Sequence, residues 1–173
     1  MVAVEHFSKY TLLIPLMDKH ATQTAFAFEH HVLGRYGACA EVVTDQGSEW
    51  KGEFAALLAN TLIDHRQTSA SHPQANGLSE RAVQTCKNAL RRIQASRGGC
   101  REWDRHLPYI MLGYNCSDQA STKVSPYSIL HAVDPTIPPA VKQRFEEPVD
   151  LDNPELAARS ILQLSAALRH NIT

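Results

Sequence analysis

The chain has 173 residues, 43% of them hydrophobic and 20% charged, with a formal net charge of -1. These figures suit one globular domain with a sizeable core and exclude both a disordered chain and one whose overall charge advertises nucleic acid. Four scattered cysteines (Cys39, Cys86, Cys100, Cys116) form no CxxC pair, which excludes a zinc-ribbon pattern and leaves reduced thiols in an intracellular compartment as the expectation. No apolar run approaches the ~18 residues needed to span a bilayer, and no signal peptide opens the chain, so no membrane partner is expected.

In chain order, VAVEHF (residues 2–7) and YTLLIPL (10–16) are short and rich in β-formers, and Ser8-Lys9 between them predicts an antiparallel hairpin. From Ala21 to Arg35 the pattern is helical, with Ala25, Phe28, Val32 and Leu33 on one face and Gly34 or Gly37 to end it. AEVVT (40–44) predicts a short buried strand ending at Asp45. Trp50 to Leu62 predicts an amphipathic helix with Phe54, Leu57, Leu58 and Leu62 inward, and IDHRQTS (63–69) a further strand. Ser71 to Gly77 reads as a polar loop, followed by a long helix from Leu78 to about Ser96, a break at Gly98-Gly99 and a helix from Trp103 to about Asn115. Ser125-Pro126-Tyr127 opens a short helix, a proline-rich exit follows from Pro135 to Pro148, and Asn153-Pro154 starts a last helix with Leu156, Ile161, Leu164 and Leu168 on its apolar face. This order implies a mixed α/β sheet flanked by helices.

Charge is unevenly spread. Six Lys/Arg and no acid lie between Arg81 and Arg101, whereas Glu146 to Glu155 holds five acids and no base. Two acids stand out at predicted element ends. Asp45 follows an apolar run and precedes Gln46-Gly47, and Glu80 lies in the first turn of the basic helix. Taken singly, an Asp before Gly is ordinarily a turn former and a Glu in a first helical turn ordinarily offsets the helix dipole. Together, beside a basic helix, they suit metal-assisted chemistry on a phosphodiester. In the loop before the helix, Gln74 and Asn76 are amides able to bond phosphate oxygens or base edges. His72 is an acid/base candidate there or a simple packing residue. Glu80, Gln84, Lys87 and Arg91 share one helix face, with Cys86, Ala89, Leu90 and Ile93 on the buried one. Two readings of that polar row stay open: a solvated surface and a strip that follows a nucleic-acid backbone.

VAVEHFSKY, VVTDQGSEW, HPQANGLSER and LGYNCSDQASTKVSPYSILHA resemble the integrase catalytic core of LTR retroelements, most of all the gypsy type. The resemblance runs from residue 2 to about Pro139, which divides the chain into a core at 1–139 and a proline-rich exit with a C-terminal helix at 140–173. It implies a ribonuclease H-like fold and a role in DNA integration by 3′-end processing and strand transfer. It also implies a pair of Mg²⁺ or Mn²⁺ ions about 3.5–4 Å apart that clamp the attacking and leaving oxygens. On this resemblance Asp45 is the second acid of the catalytic triad and Glu80 the third. Both are then catalytic residues and metal ligands. Gln74 and Asn76 match the flexible active-site loop, and Lys87 the DNA-facing side of the helix, with Gln84 and Arg91 in line with it. DNA ends and target DNA are the implied partners, a homo-oligomer the implied assembly, and the nucleus the implied place of work.

Two departures qualify the resemblance. The 34 residues from Gln46 to Ser79 are one fewer than the family spacing, a shortening that suits the segment near Thr61 to Asp64. More seriously, the family's first aspartate lies on the strand before the one matched by Val2 to Phe7. The expectation is therefore a core without its first strand and its first acid, impaired in catalysis. Glu5 is the nearest acid and a candidate substitute ligand, although the resemblance does not assign it that role. The alternative is a catalytically inactive nucleic-acid-binding or interaction module that keeps the integrase fold. A generic ribonuclease H-like nuclease suits the HPQANG loop less well.

Overall fold

A computed structural model of the chain describes residues 1–68, 73–96, 102–119 and 122–136, with positions 153, 155, 158, 159, 161 and 163; the side chains at 73–76, 78, 94 and 96 fall outside that description. Its strands are β1 (Val2–Val4), β2 (Thr11–Leu13), β3 (Glu41–Thr44) and β4 (Asp64–Gln67). Its helices are α1 (Ala21–Phe28), α2 (Gly34–Tyr36), α3 (Glu53–Asn60), α4 (Pro73–Ser96), α5 (Leu107–Cys116) and α6 (Pro126–His131). Two compact units result, one from Met1 and Ile14–Gly77, the other from Val2–Leu13 and Leu78–Thr173. β1 pairs antiparallel with β2, and β3 pairs parallel with β4, so the predicted mixed pairing takes the form of two two-stranded sheets.

The first unit is organised on Phe28, Phe54, Leu58 and Ile63. The predicted face of Ala25, Phe28, Val32 and Leu33 does pack there, although the helix leaves α geometry through a π-helical turn at Glu29–Leu33 before α2. Gly37, at φ 81°, ends it in a conformation that glycine adopts without steric cost. The second predicted helix is shorter than its pattern. Ser48–Trp50 forms a separate 3-10 turn, and α3 covers only Glu53–Asn60. Phe54 and Leu58 are fully buried as expected, but Leu62 is 93% exposed. It occupies the left-handed position (φ 57°) that reverses the chain into β4, and that turn throws its side chain outward. β3 is also less buried than predicted: Thr44 is buried, whereas Val43 is 44% exposed.

In the second unit the hairpin strands have three residues each, in the register Val2↔Leu13, Ala3↔Leu12 and Val4↔Thr11. The connecting turn is wider than a two-residue one, running from Glu5 to Tyr10 with Lys9 at φ 65°. α4 starts at Pro73, five residues before the predicted Leu78, so the stretch read as a polar loop is helical at Pro73–Gly77. Pro73 is suited to a first turn because its φ is fixed near the helical value and its missing N–H would have had no partner. From Ala82 the helix buries Ala82, Thr85, Cys86 and Ala89 at helical spacing. Cys86 and Ala89 pack with Leu13, Leu107, Ile110, Tyr114, Ala158 and Ile161. A Cβ on Gly113 would come within 3.0 Å of the Ile161 carbonyl, so Gly113 is what lets that part of the tail approach α5. Of the predicted last helix, Ile161 is buried; Leu156, Leu164 and Leu168 lie outside the described residues, as does the exit at 137–152.

Asn115 closes the other edge of the hairpin. Its side-chain oxygen accepts from the Thr11 amide at 2.8 Å and its nitrogen donates to the Thr11 carbonyl at 2.8 Å. One amide side chain thus replaces a neighbouring strand at that position. α6 starts as predicted, with the Ser125 hydroxyl accepting from the Ser128 amide at 3.1 Å and Pro126 in the first turn.

Candidate active site and nucleic-acid face

Asp45 is the first residue after β3 and is exposed. Its Oδ1 accepts from the Gly47 amide at 3.0 Å and from the Trp50 indole Nε1–H at 2.6 Å. The first bond is the Asx turn expected of an aspartate before Gln-Gly. The second ties the carboxylate to a residue five positions later. A Cβ added to Gly47 would lie 2.5 Å from a Glu49 carboxylate oxygen and 3.0 Å from Asp45 Oδ1. Gly47 thus lies close to both the Asp45 and the Glu49 carboxylates, which are neighbours in this turn. Behind them the Thr44 hydroxyl meets His65 Nε2 at 2.9 Å.

In the second unit Glu80 is exposed on α4, and so are Arg81, Gln84, Lys87, Arg91 and Arg92. The predicted row is real as a surface. Gln84 donates to the Asn88 side-chain oxygen at 2.9 Å, and Arg91 donates to the same oxygen at 3.3 Å. Asn88 thereby gathers two of the proposed nucleic-acid contacts, one helical turn to either side. On the opposite face burial pushes the Cys86 thiol up to about 12, so it behaves as an apolar core group.

Glu5 caps its own turn. Its carboxylate accepts from the Phe7 amide at 2.9 Å, the Ser8 amide at 2.6 Å and the Ser8 hydroxyl at 2.5 Å. Partial burial works against the charged form, but the Ser8 hydroxyl, the two amides and nearby His6 outweigh it and hold the carboxyl below its ordinary value. Gln74 and Asn76 lie in the first turns of α4 with side chains outside the described residues, and His72 lies outside them altogether. Asp45 and Glu80 belong to different units. Among the described residues no group of three or more His, Cys, Asp or Glu side chains is arranged to hold a metal ion. The two acids are nonetheless the hard oxygen donors that Mg²⁺ and Mn²⁺ prefer.

Sequence reasoning missed Trp50, because its apolar ring placed it in the helix pattern; a tryptophan five residues after an exposed aspartate was the available signal. The first unit also has an open surface groove of about 390 Å³, lined by Lys19, His20, Thr22, Ser48, Lys51 and Glu53 among others. These residues come from two separate stretches, and neither carries a motif.

The structure is similar to a chain of the simian T-cell lymphotropic virus intasome solved with a PP2A regulatory subunit (TM-score 0.67, 18% identity, 80% of this chain and 49% of that one). It is also similar to the catalytic core domain of BIV integrase (TM-score 0.59, 24% identity, 76% and 84%). The chain therefore has the ribonuclease H-like mixed α/β fold of the retroviral integrase catalytic core. Its homologues are retrotransposon polyproteins: the Tf2-3 and Tf2-4 transposon polyproteins of Schizosaccharomyces pombe are each 26% identical over 156 residues, 89% of this chain. The chain spans only 12% of those polyproteins. No family model matches it. Among the described residues no helix is long and apolar enough to cross a membrane.

Proposed function

We propose that the chain is the catalytic-core segment of an LTR-retroelement integrase and serves DNA integration. The observation that carries this reading is an exposed carboxylate immediately after β3 followed, with 34 residues between, by one on the exposed face of a basic helix, in a chain with the integrase-core fold. Asp45 and Glu80 are the carboxylates that would hold Mg²⁺ or Mn²⁺. A divalent pair supplies Lewis-acid stabilisation of the attacking and leaving oxygens of a phosphodiester. The chain's own contribution is to bind and orient the DNA. Lys87 and Arg91 neutralise backbone phosphates, Gln84 and Asn88 add hydrogen bonds, and Gln74 and Asn76 meet the DNA end at the start of α4. Work on chromosomal target DNA would place the protein in the nucleus, with multimers on DNA ends.

Asp45 and Glu80 supply two carboxylates, and two-metal chemistry asks for more oxygen donors than these two provide. The test is to mix the purified chain with Mn²⁺ and a labelled DNA end. Salt-sensitive DNA binding without strand transfer is the expected result. Robust transfer abolished by Glu5→Gln would overturn the assignment of the acids. Failure to bind DNA at low salt would overturn the reading as a whole. DNA binding with no divalent-ion binding would favour a nucleic-acid-binding module without chemistry.

A further inference from the structure

We propose that Trp50 is a positioning residue for the Asp45 carboxylate: its indole N–H fixes the rotamer in which Asp45 meets a divalent cation. The inference rests on the reading of Asp45 as a metal ligand and extends it to a residue outside the acidic set. Asp45 stands exposed at the end of a four-residue strand, where a carboxylate is ordinarily free to turn about both side-chain torsions. Two bonds hold it, and both fall on Oδ1. The Gly47 amide is a backbone donor within the same turn and moves with it. The Trp50 indole is different, because its ring is anchored elsewhere.

That anchor is the core of the first unit. Trp50 packs edge-on against Phe54 with ring centroids 5.0 Å apart. Phe54 is fully buried and makes further edge contacts with Phe28 at 5.4 Å and His65 at 5.9 Å. His65 in turn meets the Thr44 hydroxyl, one residue before Asp45. The carboxylate is thus tied to one aromatic cluster through its own oxygen and through the strand that carries it. A neutral N–H on one oxygen leaves the carboxylate charged and the other oxygen available, as is usual for hydrogen-bonded carboxylate ligands of metals. A phenylalanine at position 50 would keep an aromatic ring against Phe54 without the bond.

The experiment uses the full chain and reads Mn²⁺ binding by electron paramagnetic resonance of the free ion, with no catalysis required. Asp45→Asn tests the underlying reading and Trp50→Phe tests the proposal. Loss of Mn²⁺ binding in Asp45→Asn together with about a tenfold weakening in Trp50→Phe is the expected result, in line with outer-shell partners of metal ligands. If Asp45→Asn weakens binding and Trp50→Phe leaves it unchanged, the positioning role is overturned while Asp45 stands. If Asp45→Asn has no effect, or the unsubstituted chain binds no Mn²⁺, both are overturned. Should Trp50→Phe unfold the unit, benzothienylalanine at position 50 keeps the bicyclic shape and removes only the N–H. An independent readout is the indole N–H resonance of Trp50, which should move upfield and exchange faster with solvent in Asp45→Ala. An unmoved resonance would show that the bond does not form and overturn the proposal.

Discussion

Asp45 and Glu80 are held by opposite means. Asp45 directly follows a short, half-exposed strand and owes its geometry to hydrogen bonds on the carboxylate itself, from Gly47 and Trp50. Glu80 stands on a 24-residue helix that fixes its backbone by burying a stripe of small residues, Ala82, Thr85, Cys86 and Ala89, on another face. The first arrangement is local and adjustable, and the second is inherited from a core. The strand-end acid is then the one tuned by single neighbours, and the helix-borne acid the one tuned by packing. That difference predicts where substitutions far from either carboxylate should be felt.

The largest effect is expected at Phe54. It is fully buried and joins Trp50, Phe28 and His65 in one aromatic cluster. Phe54→Ala should cost about 3–5 kcal/mol by cavity formation and loss of apolar burial. Urea unfolding followed by tryptophan fluorescence would show it as a lower midpoint, and the Trp50 indole should lose its hold on Asp45 with it. A loss below about 1 kcal/mol would mean that the cluster is not the anchor. The counterpart in the second unit is Asn115→Ala, which leaves both the amide and the carbonyl of Thr11 without their partner. Each stranded backbone group costs about 1–3 kcal/mol. A loss of at least about 2 kcal/mol is therefore expected, together with faster hydrogen exchange at the Thr11 amide.

The contrast between the units also explains what could be read from sequence. Helical periodicity found the buried faces well: Phe28, Phe54 and Leu58 in one unit and Cys86 and Ala89 in the other were named from spacing alone and are buried. Spacing failed where a backbone turn overrides the pattern. Leu62 continued the apolar repeat of α3, but a left-handed residue was needed to enter β4, and Leu62 took that place. The PQANG stretch (73–77) carries every loop signal, yet it is helical because Pro73 can begin a helix as readily as it can stiffen a loop. The position of Asp45 after a strand was legible, since an apolar run ending in Asp-Gln-Gly has few other readings. Its bond to Trp50 was not, because a side-chain contact across a 3-10 turn leaves no periodic trace. Asn115 was hidden for the same reason: it lies 104 residues from its partner, and nothing in a helix pattern marks one polar residue as a substitute strand.

On the exposed face of α4 smaller effects are expected. Lys87→Ala and Arg91→Ala should each weaken DNA binding several-fold and lower the salt slope by about one. Asn88→Ala sharpens the test, since Asn88 accepts from both Gln84 and Arg91. If the strip is pre-ordered, releasing those two side chains should weaken binding without changing the slope. Fluorescence anisotropy with a labelled duplex across a salt series separates the two outcomes. An unchanged slope for both charge removals would make the row an ordinary solvated surface.

The smallest effect is expected at Glu5, and its pH dependence gives it a signature of its own. The Glu5 carboxyl lies below its ordinary value because the bonds from Ser8 and Phe7, with His6 nearby, outweigh the cost of partial burial. A carboxyl depressed in the folded state stabilises the fold at pH values above the unfolded value, taken as 4.5, and loses that contribution as pH falls through the lower folded value. Glu5→Gln should therefore destabilise the hairpin turn near neutral pH and become indistinguishable from the unsubstituted chain in acid below both values. Because Glu5 is exposed, solvent screening keeps the difference below about 1 kcal/mol. Thermal unfolding at several pH values would resolve it. A role for Glu5 as a substitute metal ligand predicts something else: Mn²⁺ would compete with Ser8 for the carboxylate, and Glu5→Gln would weaken ion binding at neutral pH. A turn that is destabilised while Mn²⁺ affinity is unchanged assigns Glu5 to the hairpin and removes it from the candidate metal ligands.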